Sequence, residues 1–237
     1  TQQLFPELYQ QRRLELEEEG CLVPNGDSNR PARMTLPLFT LHVSVFPGES
    51  FPMFIFEPRY VLMLQRCLQS SRCFGIISPN SLTSEHGIGT VLRIESCSSA
   101  GMQRHMIVTS AMHRFKVQSY HEGADGYLVG ILETVHDENS LTNSDGSTVR
   151  NEELDILIEL LQKAVPTRSQ AILRSRSEIG SQSYYEKQGM LLSSVLVRDF
   201  AKRQELLELT DSEIRIRRLV EIVEQSTRKM SKSCSIQ

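Results

Sequence analysis

The stretch Leu36–Tyr60, LPLFTLHVSVFPGESFPMFIFEPRY, decides how the rest of the chain is read. It holds two short apolar runs, Leu36–Leu41 and Phe51–Phe56. A turn, Val45-Phe46-Pro47-Gly48-Glu49-Ser50, separates them. The second run ends in Glu57-Pro58-Arg59-Tyr60, where the apolar period lengthens from strand-like to helix-like. The pattern predicts a strand, a turned loop, a strand and a helix start. Pro58 pre-sets φ for the first helical turn, and the Glu57 carboxylate suits the positive end of the helix dipole. Tyr60, Leu64 and Leu68, with Val61 and Met63, give an apolar helix face over Tyr60–Gln69.

Downstream the strand signals continue. Cys73–Ser78 is a short apolar run, Pro79–His86 reads as a loop, and Gly87–Cys97 alternates as a half-buried strand does. Met102–Tyr120 reads as two strands or one bent strand, with Ile107, Val108, Phe115 and Val117 as core candidates. His121–Gly126 is a turn and Tyr127–Val135 another strand. About six strands around one helix, with turns at short intervals, predict a small β-barrel or closed sheet over residues 34–138. Residues 139–152 are polar and read as a loop. Residues 153–226 then turn helical: Leu154, Leu157, Ile158 and Leu161 recur at helical spacing, and Val165-Pro166 ends that helix. Thr167–Gly189 is weakly patterned, whereas Met190–Val197, Phe200 and Leu206-Leu207 carry on an apolar helical face. Thr210-Asp211-Ser212-Glu213 matches a capping box before a last helix with Ile214, Leu219, Ile222 and Val223 inward. Residues 227–237 form a tail. Residues 1–33 read as a helix, Leu4–Glu19, and a Pro/Gly/Asn-rich linker, Pro24–Arg33. The class is α+β: a barrel or closed sheet followed by a helical subdomain.

Bulk composition limits the function. The chain has 237 residues, a net charge of −3, and 39% hydrophobic and 23% charged residues. That length buries a core without staples. Neither nucleic acid nor an anionic membrane is indicated as partner, since both are usually met by a basic face. The five cysteines include no C-x-x-C, which argues against a zinc site or a disulfide framework and for a reducing, intracellular compartment. No apolar run approaches the ~20 residues of a membrane span.

Three groups of residues together resemble the LON domain, the substrate-binding region at the N-terminus of Lon-type ATP-dependent proteases. The first is Leu36-Pro37-Leu38-Phe39, Phe46-Pro47-Gly48 and Phe54–Tyr60. The second is Phe74-Gly75-Ile76, Gly87–Thr90, His113–Val117 and Asp125–Leu128. The third is Arg203–Glu208 with Ile214–Leu219. The resemblance implies a PUA-like β-barrel, an α-helical bundle, no cofactor, and a non-catalytic role in recognising client proteins or exposed apolar peptide segments. The segment upstream of Leu36 resembles the connection between a RING finger and a LON domain. That implies the client-binding part of a larger cytoplasmic or nuclear protein, such as a RING-type E3 ubiquitin ligase in protein quality control, with ubiquitin machinery recruited from outside this chain. The alternative is a small-molecule-binding or enzymatic module on the same barrel, which needs a polar pocket with perturbed titratable groups.

Each candidate for chemistry has a plainer reading beside it. The chain has no G-x-x-x-x-G-K-[ST] phosphate cradle and no G-x-S-x-G nucleophile turn. Gly87-x-Gly89 reads as a turn entering a strand. His105, His113 and His121 recur at eight-residue spacing, but ~26 Å separates successive members of one extended strand, too far for one ion. The basic residues Arg174, Arg176, Arg215, Arg217, Arg218, Arg228 and Lys229 lack the interleaved aromatics of a nucleic-acid platform and read as a solvated face. Glu57, Pro58, Arg59 and Arg114 read as structural, with Glu57 capping the helix and Arg59 a buried charge tying it to a strand or loop. The candidate protein-binding residues are Val45, Phe46, Phe51 and Met53, which flank a surface loop; the alternative is that all four point into the core.

Overall fold

The computed structural model describes residues 32–84, 87–101, 104–137, 151–165 and 184–234, with side chains in the last helix to 228. The N-terminal helix and most of its linker, the 139–152 loop up to residue 150, most of Thr167–Gly189 and the end of the tail lie outside the described residues. The chain divides into two compact units between Val135 and His136.

The first unit begins with β1 (Arg33–Thr40) and β2 (Ser50–Ile55). Helix α1 (Pro58–Gln69), β3 (Cys73–Ile77) and the short helix α2 (Pro79–Leu82) follow, then β4 (Ile88–Ser99), β5 (His105–Glu122) and β6 (Leu128–Val135). The six-stranded mixed sheet has the order β2-β5-β4-β3-β1-β6, and β6 pairs back onto β5. The ladder thus closes through every strand but β2, which hangs on the outer side of β5. Closure explains the length of β5. Its first half pairs with β2 (Ser50↔Ser110, Ile55↔His105) and its second half with β6 (Arg114↔Val135, Glu122↔Leu128). It is one 18-residue strand, with register shifts against β4 and β6 that let it change partners. Of its expected core residues, Ile107 and Phe115 are buried, while Val108 and Val117 are partly so. The Pro79–His86 segment, read as a loop, contains α2.

Among the described residues, two apolar clusters hold this unit. One takes a side chain from every strand of the closed ladder: Leu38, Ile77, Val91, Phe115 and Leu132. The other packs Tyr60, Val61, Met63 and Leu64 of α1 with Phe39, Met53, Ile55, Leu92 and Ile107. Tyr60 fixes the helix to β1 twice over. Its ring stacks on Phe39 at 4.0 Å between centroids, and its hydroxyl lies 3.0 Å from the Thr40 hydroxyl. Cys67 and Cys97 are free thiols. Cys73 is disulfide-bonded, which runs against the expectation that the cysteines make no disulfide framework.

The second unit contains α3 (Glu152–Ala164), α4 (Tyr184–Leu196), α5 (Phe200–Glu208) and α6 (Ser212–Cys234). Asn151 caps α3 by accepting from the Glu153 and Leu154 amides, and Glu152, Glu153 and Asp155 lie at the positive end of the dipole. Val165 turns extended before Pro166, as a residue preceding proline must. Asp199 caps α5. The cap of α6 is Asp211, whose carboxylate accepts from the Glu213 and Ile214 amides; the expected Thr210 box is displaced by one residue. The inward face is accordingly Ile216, Leu219 and Ile222, while Ile214 is exposed. In the core of this unit, Arg215 makes a bidentate ion pair with Asp137 at 2.6 and 2.7 Å.

Candidate functional site

The four residues read as a binding surface do not form one. Val45, Phe46 and Met53 are buried, and Phe51 is partly buried. The loop that carries the first two folds inward because its polar groups are met locally. Glu49 accepts from the Phe46 amide at 2.6 Å. The Thr90 hydroxyl donates to the Val45 carbonyl at 2.6 Å, and the Gly48 amide donates to Ala111. With its backbone satisfied, the turn can bury Val45 and Phe46 at little polar cost.

Glu57, Pro58 and Arg59 start α1, but not as expected. Glu57 stands at the N-cap position with no side-chain cap bond. It accepts instead from Arg59 Nε at 3.0 Å, and both side chains are nearly half exposed, at 46% and 47%. The Arg59 guanidinium lies 4.6 Å from the Tyr60 ring centroid. Arg59 is therefore a surface residue of the helix start, not a buried tie to a strand. Arg114, by contrast, is fully buried on β5, opposite Thr90 and Val135.

The exposed apolar surface lies on the other parity of the same strand. Phe51, Met53 and Ile55 face inward along β2, so Pro52 and Phe54 face out. Phe54 is 43% exposed, and Phe56, just past the strand, is 60% exposed. Their rings lie 6.3 Å apart, within the range of interacting aromatics. Phe54 is directly opposite Met106 of β5, itself 43% exposed. Phe54 and Met106 are thus held on the ladder facing solvent, with Phe56 exposed just past its end. Phe54 and Phe56 were visible in the sequence as alternate members of FPMFIF, and strand parity was the signal that could have separated them from Met53 and Ile55.

The apolar face has a polar border. Ser50 is opposite Ser110, and Ser110 is opposite Arg93. Glu95 accepts from the Ser110 hydroxyl and from Arg93 at 2.9 and 3.1 Å. Partial burial pulls the Glu95 carboxyl upward, but these hydrogen bonds and the Arg93 charge outweigh it and hold it below its usual range.

The features an enzymatic reading would need are occupied otherwise. A cavity of about 340 Å³ is lined by Thr35, Leu36, Pro37, Arg66, Cys67 and Ser70, among others. Arg66 is engaged by Asp125 at 2.6 Å and by the Tyr127 hydroxyl at 3.3 Å. Burial pushes the Cys67 thiol up to about 12, which keeps it protonated and non-nucleophilic. At Gly87 and Gly89 there is no room for a phosphate: a Cβ at Gly89 would come within 2.5 Å of the Ile76 carbonyl and of the Phe115 ring, and one at Gly87 would strike the Ser81 backbone. Both glycines serve close packing. His105, His113 and His121 are spread along β5 as half-buried, buried and exposed residues in turn. On α6 the basic residues are matched by acids: Arg217 by Glu153 and Glu213, Arg218 by Glu205 and Glu221. Among the described residues, no helix is long and apolar enough to cross a membrane.

The family model of the ATP-dependent protease La (LON) substrate-binding domain matches residues 35–225. Solved structures agree in fold. A Lon N-terminal domain protein from Xanthomonas campestris is 22% identical, with a TM-score of 0.58, covering 79% of this chain and 98% of that one. The N-terminal domain of a Lon protease from the Mycobacterium avium complex is 14% identical, also with a TM-score of 0.58, covering 81% and 98%. At these identities the likeness is one of fold.

Proposed function

The chain belongs to the LON substrate-binding domain family, and from that premise we propose that it recognises client proteins through apolar segments that folded proteins keep buried. Substrate binding itself is non-catalytic, and the family supports that role for this chain. The observation that carries the client reading is the Phe54–Phe56–Met106 face. Aromatic and thioether side chains give large contact area and adapt to varied partners, and here they stand on a ladder that does not have to be ordered on binding. A face of this kind takes apolar sequence without demanding one sequence, as a domain serving many clients must.

The wider setting is proposed on the resemblance alone. The chain is the client-binding part of a larger cytoplasmic or nuclear protein. A RING-type ligase acting in protein quality control is the setting that the segment upstream of Leu36 resembles. The test of client recognition is binding to a permanently unfolded protein, reduced and carboxymethylated α-lactalbumin, against its native calcium-loaded form. Selective binding of the unfolded form is expected; equal or no binding of the two forms contradicts the reading. The ligase setting is tested separately, by ubiquitin transfer to that client by the full-length protein.

A further inference from the structure

We propose that the outer edge of β2 is a strand-addition site, at which an extended, uncharged, apolar client segment pairs with the main chain of Ser50, Pro52 and Phe54. The proposal rests on the client-recognition reading above and adds its mode.

Strand β2 ends the sheet order, and its described pairing is with β5 alone. In an antiparallel ladder alternate residues turn their N–H and C=O toward the partner strand. The Ala111 amide donates to the Glu49 carbonyl, so the inward-bonding residues further along are Phe51, Met53 and Ile55. Pro52, which has no N–H to give, falls on the other parity, consistent with this phase. Ser50 and Phe54 therefore each turn an N–H and a C=O outward, and Pro52 a C=O. Among the described residues no hydrogen bond engages these groups from the outer side. The same residues carry their side chains on the solvent face. An added strand would thus meet a hydrogen-bonding edge and, beside it, the Phe54–Phe56–Met106 face.

Three observations select the occupant. An edge of unpaired backbone groups at two-residue spacing selects an extended chain, because only an extended chain presents its own groups at that spacing. The flanking charges are already matched to one another, Glu57 with Arg59 and Arg93 with Glu95, so the edge favours an uncharged segment. Pro52 disfavours a second copy of β2: two such edges would face each other with a donor missing from each, whereas a client without proline offers a donor at every second residue.

Geometry sets the parity of the client. In antiparallel addition, the arrangement proposed, residues opposite one another share a face and alternate opposed pairs exchange both their hydrogen bonds. The client residues bonded to Ser50, Pro52 and Phe54 must then carry the side chains that lie beside Phe54. The probe is a fluorescein-labelled peptide, Thr-Val-Thr-Phe-Thr-Val-Thr-Phe-Thr, measured by anisotropy on the whole chain. N-methylating the valine and phenylalanine amides should weaken binding by about tenfold or more, since it removes the donors aimed at β2. N-methylating the threonine amides, which point away, should change it less than about twofold. In the complex the Ser50 and Phe54 amides should gain protection from hydrogen exchange. If both N-methylated peptides bind like the parent, or if Ser50 and Phe54 stay unprotected, strand addition is overturned while client recognition stands. The same conclusion follows if the parent peptide fails to bind and unfolded α-lactalbumin binds. If neither binds, the recognition reading itself fails. Protection at Ser50 and Phe54 that rises with protein concentration in the absence of peptide assigns the edge to a second copy and overturns the proposal.

Discussion

Replacing Asp137 by alanine should strongly destabilise the helical unit. Asp137 and Arg215 are both inaccessible to solvent and meet through two hydrogen bonds of 2.6 and 2.7 Å. The Ser212 hydroxyl donates to the same carboxylate. Arg215 also serves α5: its guanidinium donates to the Leu206 carbonyl at 3.0 Å and to that of Leu209, groups that the end of a helix leaves without partners. Alanine at 137 leaves the guanidinium in the core with no counter-charge. Removing one member of a buried pair costs about 3–5 kcal/mol. With a urea dependence of about 2 kcal/mol per molar, that moves the unfolding midpoint down by roughly 1.5–2.5 M. The assay is a urea titration followed by circular dichroism at 222 nm. The double variant Asp137→Leu/Arg215→Met removes both charges, so it should recover about half of the loss; the carbonyls of Leu206 and Leu209 keep it about 1–3 kcal/mol short of the parent. A midpoint within about 0.3 M of the parent for Asp137→Ala would refute the reasoning, because a pair of that burial cannot be broken at so small a cost.

Other outcomes follow from the same geometry. Arg59→Ala should cost less than ~1 kcal/mol, since its pair with Glu57 is half exposed and screened; a large drop in melting temperature would show a role that the surface geometry lacks. Gly89→Ala must push Phe115 or the Ile76 backbone aside, so a loss of about 1–3 kcal/mol and of roughly 5–10 °C in melting temperature is expected by calorimetry; an unchanged melt contradicts the packing. Iodoacetamide at pH 8, read by peptide mass mapping, should label exposed Cys97 and spare buried Cys67 until the chain unfolds. The folded Cys67 thiol ionises at about 12 against 9.0 for an ordinary one, so its contribution to stability is complete below pH 9 and is lost as pH rises from 9 to 12. Urea midpoints at least as high in a Cys67→Ser variant across that window, with the same pH slope as the parent, would contradict that linkage.

Much of the architecture was legible in Leu36–Tyr60, because its period shift from strand to helix is a local signal that tertiary structure had no reason to override. The α+β class was legible for the same reason. Closure through β5 and β6 was not, since pairing between strands is decided by partners far apart in sequence. The helix cap of α6 slipped from Thr210 to Asp211 because both residues can cap, and burial of Ile216 rather than Ile214 chose between them. Val45, Phe46 and Met53 were read as flanking a surface loop for a different reason. Loops are usually exposed, but the 45–49 turn meets its polar groups with Glu49, Thr90 and Ala111 and so can be buried. Strand parity, applied to FPMFIF, points to Phe54 and Phe56 instead. Arg59 was read as buried because it stands in an apolar stretch, yet the first turn of α1 lifts it onto the surface beside Glu57.

The central claim is that the Phe54–Phe56–Met106 face holds unfolded clients. The most direct measurement compares the parent chain with Phe54→Ser/Phe56→Ser for affinity toward reduced, carboxymethylated α-lactalbumin by biolayer interferometry, with both melting temperatures recorded. Both rings are exposed, so the melt should stay within a few degrees. The affinity should fall by about tenfold or more, as it does when aromatic anchors are removed from an interface. An unchanged affinity at an unchanged melting temperature would place client binding elsewhere on the molecule and contradict the account.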